Sequence, residues 1–162
     1  GLSMAEPESK PKPKVNLRFL YAFCNAMPPM RAFYTELLGM QEISFMDTDS
    51  FGWLAYQCEG MQLMFFRAES ELPVEKQWAD QPGEAPEGAV PLMSFSLEYG
   101  EDDFRELVKR VREAKTETAK PNPTWRQQSY WGWTVKDPMG NTIELYAAPK
   151  EHPGSETPEW KD

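Results

Sequence analysis

One order of elements, a strand, a helix and three further strands, occurs twice along these 162 residues, and that repeat limits the fold more than any other feature. The first pass opens with residues 17–24, a strand by its length and aromatic content. Pro28 and Pro29 suit the first turn of a helix. Met30, Phe33, Tyr34, Leu37 and Leu38 then recur at helical spacing, and Gly39 ends the stripe. Strand-like runs follow at 40–46, 51–58 and 61–67, separated by Asp47-Thr48-Asp49-Ser50 and Glu59-Gly60 as turns.

The second pass repeats the order. Residues 91–99 read as a strand. Asp102 or Asp103 is expected to cap a helix whose apolar stripe is Phe104, Leu107, Val108 and Val111, with acids first and bases later, as the helix dipole prefers. Strands are expected at 116–119, 129–136 and 141–147, the last after the turn Asp137-Pro138-Met139-Gly140-Asn141. Leu17 and Leu92 lie 75 residues apart, and Gln62 and Thr142 lie 80 apart, so the halves are nearly equal. A duplication explains this most economically. The boundaries that follow are an arm at 1–14, a first module at 15–69, a linker at 70–90, a second module at 91–148 and a tail at 149–162. Gly1-Leu2-Ser3 ahead of Met4 reads as a cloning remnant. Both ends are rich in proline and charge, and their loss is expected to change stability little.

Charge excludes some partners. A net charge of −9 leaves no basic face for nucleic acid or an anionic membrane. No window reaches the roughly 20 apolar residues of a membrane span. Cys24 and Cys58 sit in apolar strands and read as free thiols, which suits a reducing, cytoplasmic setting. Six Trp, six Tyr and nine Phe are more than a core of this size needs, so they either fill the interior or line something.

Two stretches resemble a known family. Arg31-Ala32-Phe33-Tyr34-Thr35-Glu36-Leu37-Leu38-Gly39-Met40 is similar to the "xFYxxxLGx" helix end of the vicinal oxygen chelate superfamily, which holds glyoxalase I, bleomycin-resistance proteins and extradiol dioxygenases. The run from Trp131 to Leu145 is similar to its "WGxxxxxxDPxGNxxEL" ending. The resemblance implies an α+β fold, with two β-α-β-β-β modules forming one curved, barrel-like sheet around a cleft and helices outside. It also implies, in the family's enzymes, a divalent metal held by His, Glu or Gln from the first and last strand of each half. Those positions fall here on Phe19, Met64 (with Gln62 nearby), Leu92 and Glu144. Only Glu144 is a ligand type, and the sole histidine, His152, lies in the tail. A zinc site wants three protein ligands and a non-haem iron triad two His and a carboxylate, so no metal and no cofactor is expected. A site for magnesium or manganese from Glu144, Gln62 and Glu98 is the alternative donor set. No phosphate loop, nucleophile elbow or His-activated nucleophile replaces it, and no catalytic residue is assigned.

Alternation gives the faces. Thr142, Glu144 and Tyr146 should face the cleft and Ile143 and Leu145 the helix. Phe19, Tyr21 and Phe23 should share the cleft with Leu92 and Ser94, with Trp131 and Met64 adding to the wall; Phe51 is placed outside it. The expected function is therefore binding of a small organic molecule, aromatic or cationic, by a homodimer without metal chemistry, as in the bleomycin-resistance branch that the chain resembles. The alternatives are a metal-dependent lyase or dioxygenase of the same superfamily, or a protein-interaction module whose cleft is filled.

Overall fold

A computed structural model describes residues 11–90 and 93–162. The duplicated order is realised. In the first half β1 (Phe19–Cys24) leads to α1 (Met27–Arg31), then β2 (Glu42–Asp47), β3 (Gly52–Cys58) and β4 (Met61–Arg67). In the second, β5 (Ser94–Glu98) leads to α2 (Glu101–Glu113), then β6 (Thr124–Arg126), β7 (Tyr130–Lys136) and β8 (Thr142–Ala147). Each half is a four-stranded sheet, ordered β1-β4-β3-β2 and β5-β8-β7-β6. In both, the first strand runs parallel to the last, because the helix carries the chain back across the sheet. The fold is α+β as expected. The sheets remain two rather than closing into one barrel-like surface.

Three local expectations are corrected. The α2 cap is Gly100, in an extended conformation and accepting the amide of Phe104; Glu101, Asp102 and Asp103 occupy the first turn, where their charge suits the dipole. The edge strand of the second sheet is β6, not 116–119. Of that run only Thr118 forms a bridge, to Val135, while β6 pairs along Thr124–Arg126 with β7. The stripe through Phe33 and Tyr34 leaves α1 and widens into a π-helical turn over Ala32–Leu37. Leu38 and Met40 donate to the carbonyls of Phe33 and Tyr34, and Gly39 takes a φ of +74° to make that ending.

The apolar faces of both sheets and both helices share one core, from Cys24, Leu54, Tyr56 and Phe65 through Phe104 and Leu107 to Trp133, Ile143 and Leu145. A buried polar link crosses between the halves. The Tyr34 hydroxyl donates to Asp137 Oδ2 at 2.5 Å, and the same carboxylate accepts from the amides of Met139 and Asn141 and from Asn141 Nδ2. Asp137 thus shapes its own turn and anchors the first helix. Burial raises its pKa, and with Asp137 beside it Tyr34 is raised well above the usual phenol range.

The C-terminal segment docks instead of trailing. Trp160 packs edge-on against Phe104 and Trp131 with centroids 5.5 and 5.2 Å away, Arg105 lies 4.7 Å over its ring, and Arg112 grips the Asp162 carboxylate with both oxygens at 2.6 Å. With these contacts, removal of this end is expected to cost stability, against the small effect expected from its composition. No helix among the described residues is long and apolar enough to cross a membrane.

Candidate functional site

The residues singled out from sequence separate onto two sheet faces. On the first sheet, Phe19, Tyr21 and Phe23 alternate away from the helices, beside Gln62, Met64 and Phe66 of β4. Trp53 of β3 lies opposite Phe66, and Met46 of β2 opposite Trp53. The rings form one connected array. Tyr21 stands edge-on to Phe23 and Phe66 at 5.6 and 5.5 Å, and Phe66 meets Trp53 at 4.9 Å and Phe51 at 6.1 Å. Phe51 therefore belongs to the face from which it was left out, carried there by the β2–β3 turn in which Thr48 and Phe51 hydrogen-bond each other. Much of this surface is open: Tyr21 is 51% exposed, Phe23 50%, Met46 48% and Phe51 44%. Met64, at the middle of β4, is the buried floor.

The second face is polar and is closed only at its centre: Glu144 is buried, while Ser94 and Ser96 stay exposed. Ser94, Ser96, Glu144 and Tyr146 share it, as the alternation of β5 and β8 requires. Glu144 is buried, 6% exposed, and its charge is met by Arg126 of β6, 8% exposed. Arg126 Nη1 donates to Glu144 Oε2 at 2.6 Å and Ser96 Oγ to Oε1 at 2.7 Å. The guanidinium reaches Glu144 by lying across Gly132, where a Cβ would stand 2.7 Å from Arg126 Cδ and Nη1. The glycine of the Trp-Gly motif is thus required by a close approach. Arg126 Nη2 also donates to Thr134 Oγ1 at 3.0 Å and to the carbonyl of Asp80 at 2.8 Å, and Thr134 donates to that same carbonyl.

Asp80 belongs to the linker between the modules, which here is a strap over the second face. Glu75 staples the strap, accepting the amides of Gln77 and Val90, while its own amide donates to the carbonyl of Met139. Gln77 Nε2 reaches the carbonyl of Glu87, the amide of Asp80 reaches Glu84, and Ala79 is buried beneath. Arg126 and the strap were missed from sequence. Two prolines, Pro121 and Pro123, immediately precede the short β6 and hide it, and a Pro/Gly/Glu-rich run reads as linker whether or not it packs.

Among the described residues, no hydrogen bond or ring contact joins the aromatic face to Glu144. Trp131 points away from both faces. It pairs with Ala147 on the helix side and packs on Trp125 and Trp160, so its place in the cleft is corrected. Leu92 lies outside the described residues. Tyr146 packs against Tyr130 with the rings tilted and their centroids 4.5 Å apart.

A divalent metal does not fit the residues present. The chelate positions on the first half are Phe19 and Met64, with no donor suited to a divalent ion, and Glu144 is committed to Arg126 and Ser96. No group of three His, Cys, Asp or Glu among the described residues is arranged to hold an ion.

A family profile described as the glyoxalase/bleomycin resistance protein/dioxygenase superfamily matches residues 17–145. No curated protein matches the sequence. Among solved structures, a glyoxalase/dioxygenase from Nostoc punctiforme is similar at a TM-score of 0.60 and 18% identity, over 91% of this chain and 98% of that one. A lactoylglutathione lyase from Agrobacterium tumefaciens is similar at 0.57 and 16%, over 84% and 96%. A fosfomycin resistance protein from Listeria monocytogenes, complexed with manganese(II), is similar at 0.57 and 12%, over 83% and 94%. At such identities the likeness is one of fold.

Proposed function

The chain belongs to the glyoxalase/bleomycin resistance protein/dioxygenase superfamily, and from that premise we propose that it binds a flat aromatic molecule on the open face of its first sheet, without metal chemistry. The observation that carries this reading is the array of Tyr21, Phe23, Phe51, Trp53 and Phe66, linked by ring contacts, with Tyr21, Phe23 and Phe51 about half exposed. Stacking on such rings contributes about 0.5–1.5 kcal/mol per good contact beyond burial. Glu144 has Arg126 as its counter-ion, so a cationic ligand gains nothing there and the aromatic character of the ligand matters more than its charge. The strap closes over the Arg126–Glu144 pair, which supports the filled-cleft alternative for that part of the second face alone.

The same surface supports a homodimer. Half-exposed large aromatics and Met46 on one sheet form a patch that soluble monomers seldom leave bare, and a second copy laid over it would complete the cleft. The free thiols Cys24 and Cys58 support a cytoplasmic setting. Fluorescence titration with flat aromatic probes in chelator-containing buffer tests the reading, since Trp53 lies in the array. Quenching that disappears in Phe66→Ala and Tyr21→Ala is expected; unchanged binding in both variants would overturn the assignment of the face.

A further inference from the structure

Between the β3–β4 turn of the first half and β5 of the second lies a cavity of about 510 Å³, separate from the aromatic face. Its volume falls within the roughly 300–1,000 Å³ of small-molecule sites. Leu38, Met40, Met61 and Leu63 of the first half and Phe95 and Leu97 of the second give it an apolar wall. Glu59 and Glu98 line it as well, with the Gln41 and Gln57 amides, and no lysine, arginine or histidine does. A guanidinium, that of Arg110, comes close to Gly39 but is not part of the lining.

We propose that this seam cavity binds an aliphatic ammonium, its alkyl body against the Leu and Met wall and its cationic head at Glu59 and Glu98. An alkyl carboxylate of the same length should bind less well, because its charge would face two carboxylates in the lining while the nearest guanidinium, Arg110, lies outside it at the Gly39 end. The branched and thioether side chains from both halves suit a flexible alkyl chain better than a rigid ring. The site is independent of the proposed aromatic face, whose residues Tyr21, Phe23 and Phe66 do not line it.

Cys58 supplies a reporter. It lines the cavity and is partly exposed, whereas Cys24 is fully buried. The experiment measures the rate of Cys58 modification by N-ethylmaleimide, by mass spectrometry, with hexyltrimethylammonium or hexanoate present at equal millimolar concentration. Calorimetric titration of the same two probes gives the same comparison without a thiol reagent. We expect the ammonium to slow Cys58 modification at least fivefold and hexanoate to leave it unchanged. The double change Glu59→Gln and Glu98→Gln should abolish the protection, and Tyr21→Ala should keep it. Unreactive Cys24 verifies that each variant is folded. No protection and no heat with the ammonium, or equal protection by hexanoate, overturns the proposal. Protection lost in Tyr21→Ala yet kept in the double amide variant places the ammonium on the aromatic face and also overturns it, while leaving the aromatic-face reading standing.

Discussion

Replacing Arg126 by Met removes the guanidinium but keeps an unbranched stem of similar reach, so it isolates the charge from the packing. In the parent that guanidinium meets Glu144 at 2.6 Å, with the two residues 8% and 6% exposed. Losing one partner of a buried ion pair costs about 3–5 kcal/mol, because the remaining carboxylate stays desolvated with the Ser96 hydroxyl and the neighbouring Tyr130 phenol to serve it and no counter-charge. The carbonyl of Asp80 also loses its 2.8 Å donor, leaving Thr134 as its remaining partner. A domain of this size is stable by roughly 5–15 kcal/mol. The loss should therefore lower Tm by about 6–20 °C, at roughly 2–4 °C per kcal/mol. Urea denaturation followed by circular dichroism measures it, and hydrogen exchange should show the strap near Asp80 losing protection. Pairing Arg126→Met with Glu144→Leu should restore most of the stability, since an apolar pair fills the site without stranded charge. A single Arg126→Met variant within about 1 kcal/mol of the parent would refute the reasoning: the pair would then behave as a solvent-screened surface bridge and the strap would not seal it.

The remaining expectations follow from the same contacts. Gly132→Ala should cost about 2–4 kcal/mol by urea denaturation, because the new methyl occupies the path of the Arg126 side chain. Trp160→Ala should cost about 2–3 kcal/mol, from two edge-on ring contacts and the Arg105 cation–π contact; an unchanged Tm would show that the C-terminal segment does not hold the fold. A thiol titration of the native protein at pH 8 should count one reactive cysteine, Cys58, since burial pushes the Cys24 thiol up to about 11. Burial likewise pushes Tyr56 up to about 12. Both folded values exceed the ordinary ones of 9.0 and 10.0, so their stabilising contribution is complete below pH 9 and is lost as pH rises through 11–12. Denaturation midpoints measured from pH 8 to 11 should fall, and a flat profile would contradict the burial of these groups.

The elements were legible because their periods were clean. Ile143 and Leu145 against Glu144 and Tyr146 gave β8 its faces, and Asp137-Pro138-Met139-Gly140-Asn141 fixed where it begins. β7 had no such signal. Tyr130, Trp131, Gly132 and Trp133 are apolar or small on both sides, so only pairing across the sheet, Trp133 with Leu145 and Trp131 with Ala147, decides that Trp131 faces the helices. Glu144 was legible as a buried carboxylate, but its partner was not, because Arg126 sits 18 residues earlier on a three-residue strand. The strap was invisible for a related reason. Its hold on the second face runs through backbone carbonyls and amides, which every sequence possesses. Phe19, Tyr21 and Phe23 were placed on one face by alternation alone. That they stay uncovered depends on where the strap lies, over the second sheet and not the first.

The most direct measurement is a calorimetric titration of a flat, uncharged aromatic probe into the protein stripped of metal and held in chelator, compared with Phe66→Ala and Glu144→Gln. Phe66 touches Tyr21, Phe23, Phe51 and Trp53, whereas Glu144 lies beneath the strap. The account predicts saturable binding without metal, weakened about tenfold or more by Phe66→Ala and unaltered in affinity for the fraction of Glu144→Gln that remains folded. Binding that requires added manganese or zinc, or that fails in Glu144→Gln while surviving Phe66→Ala, would contradict it.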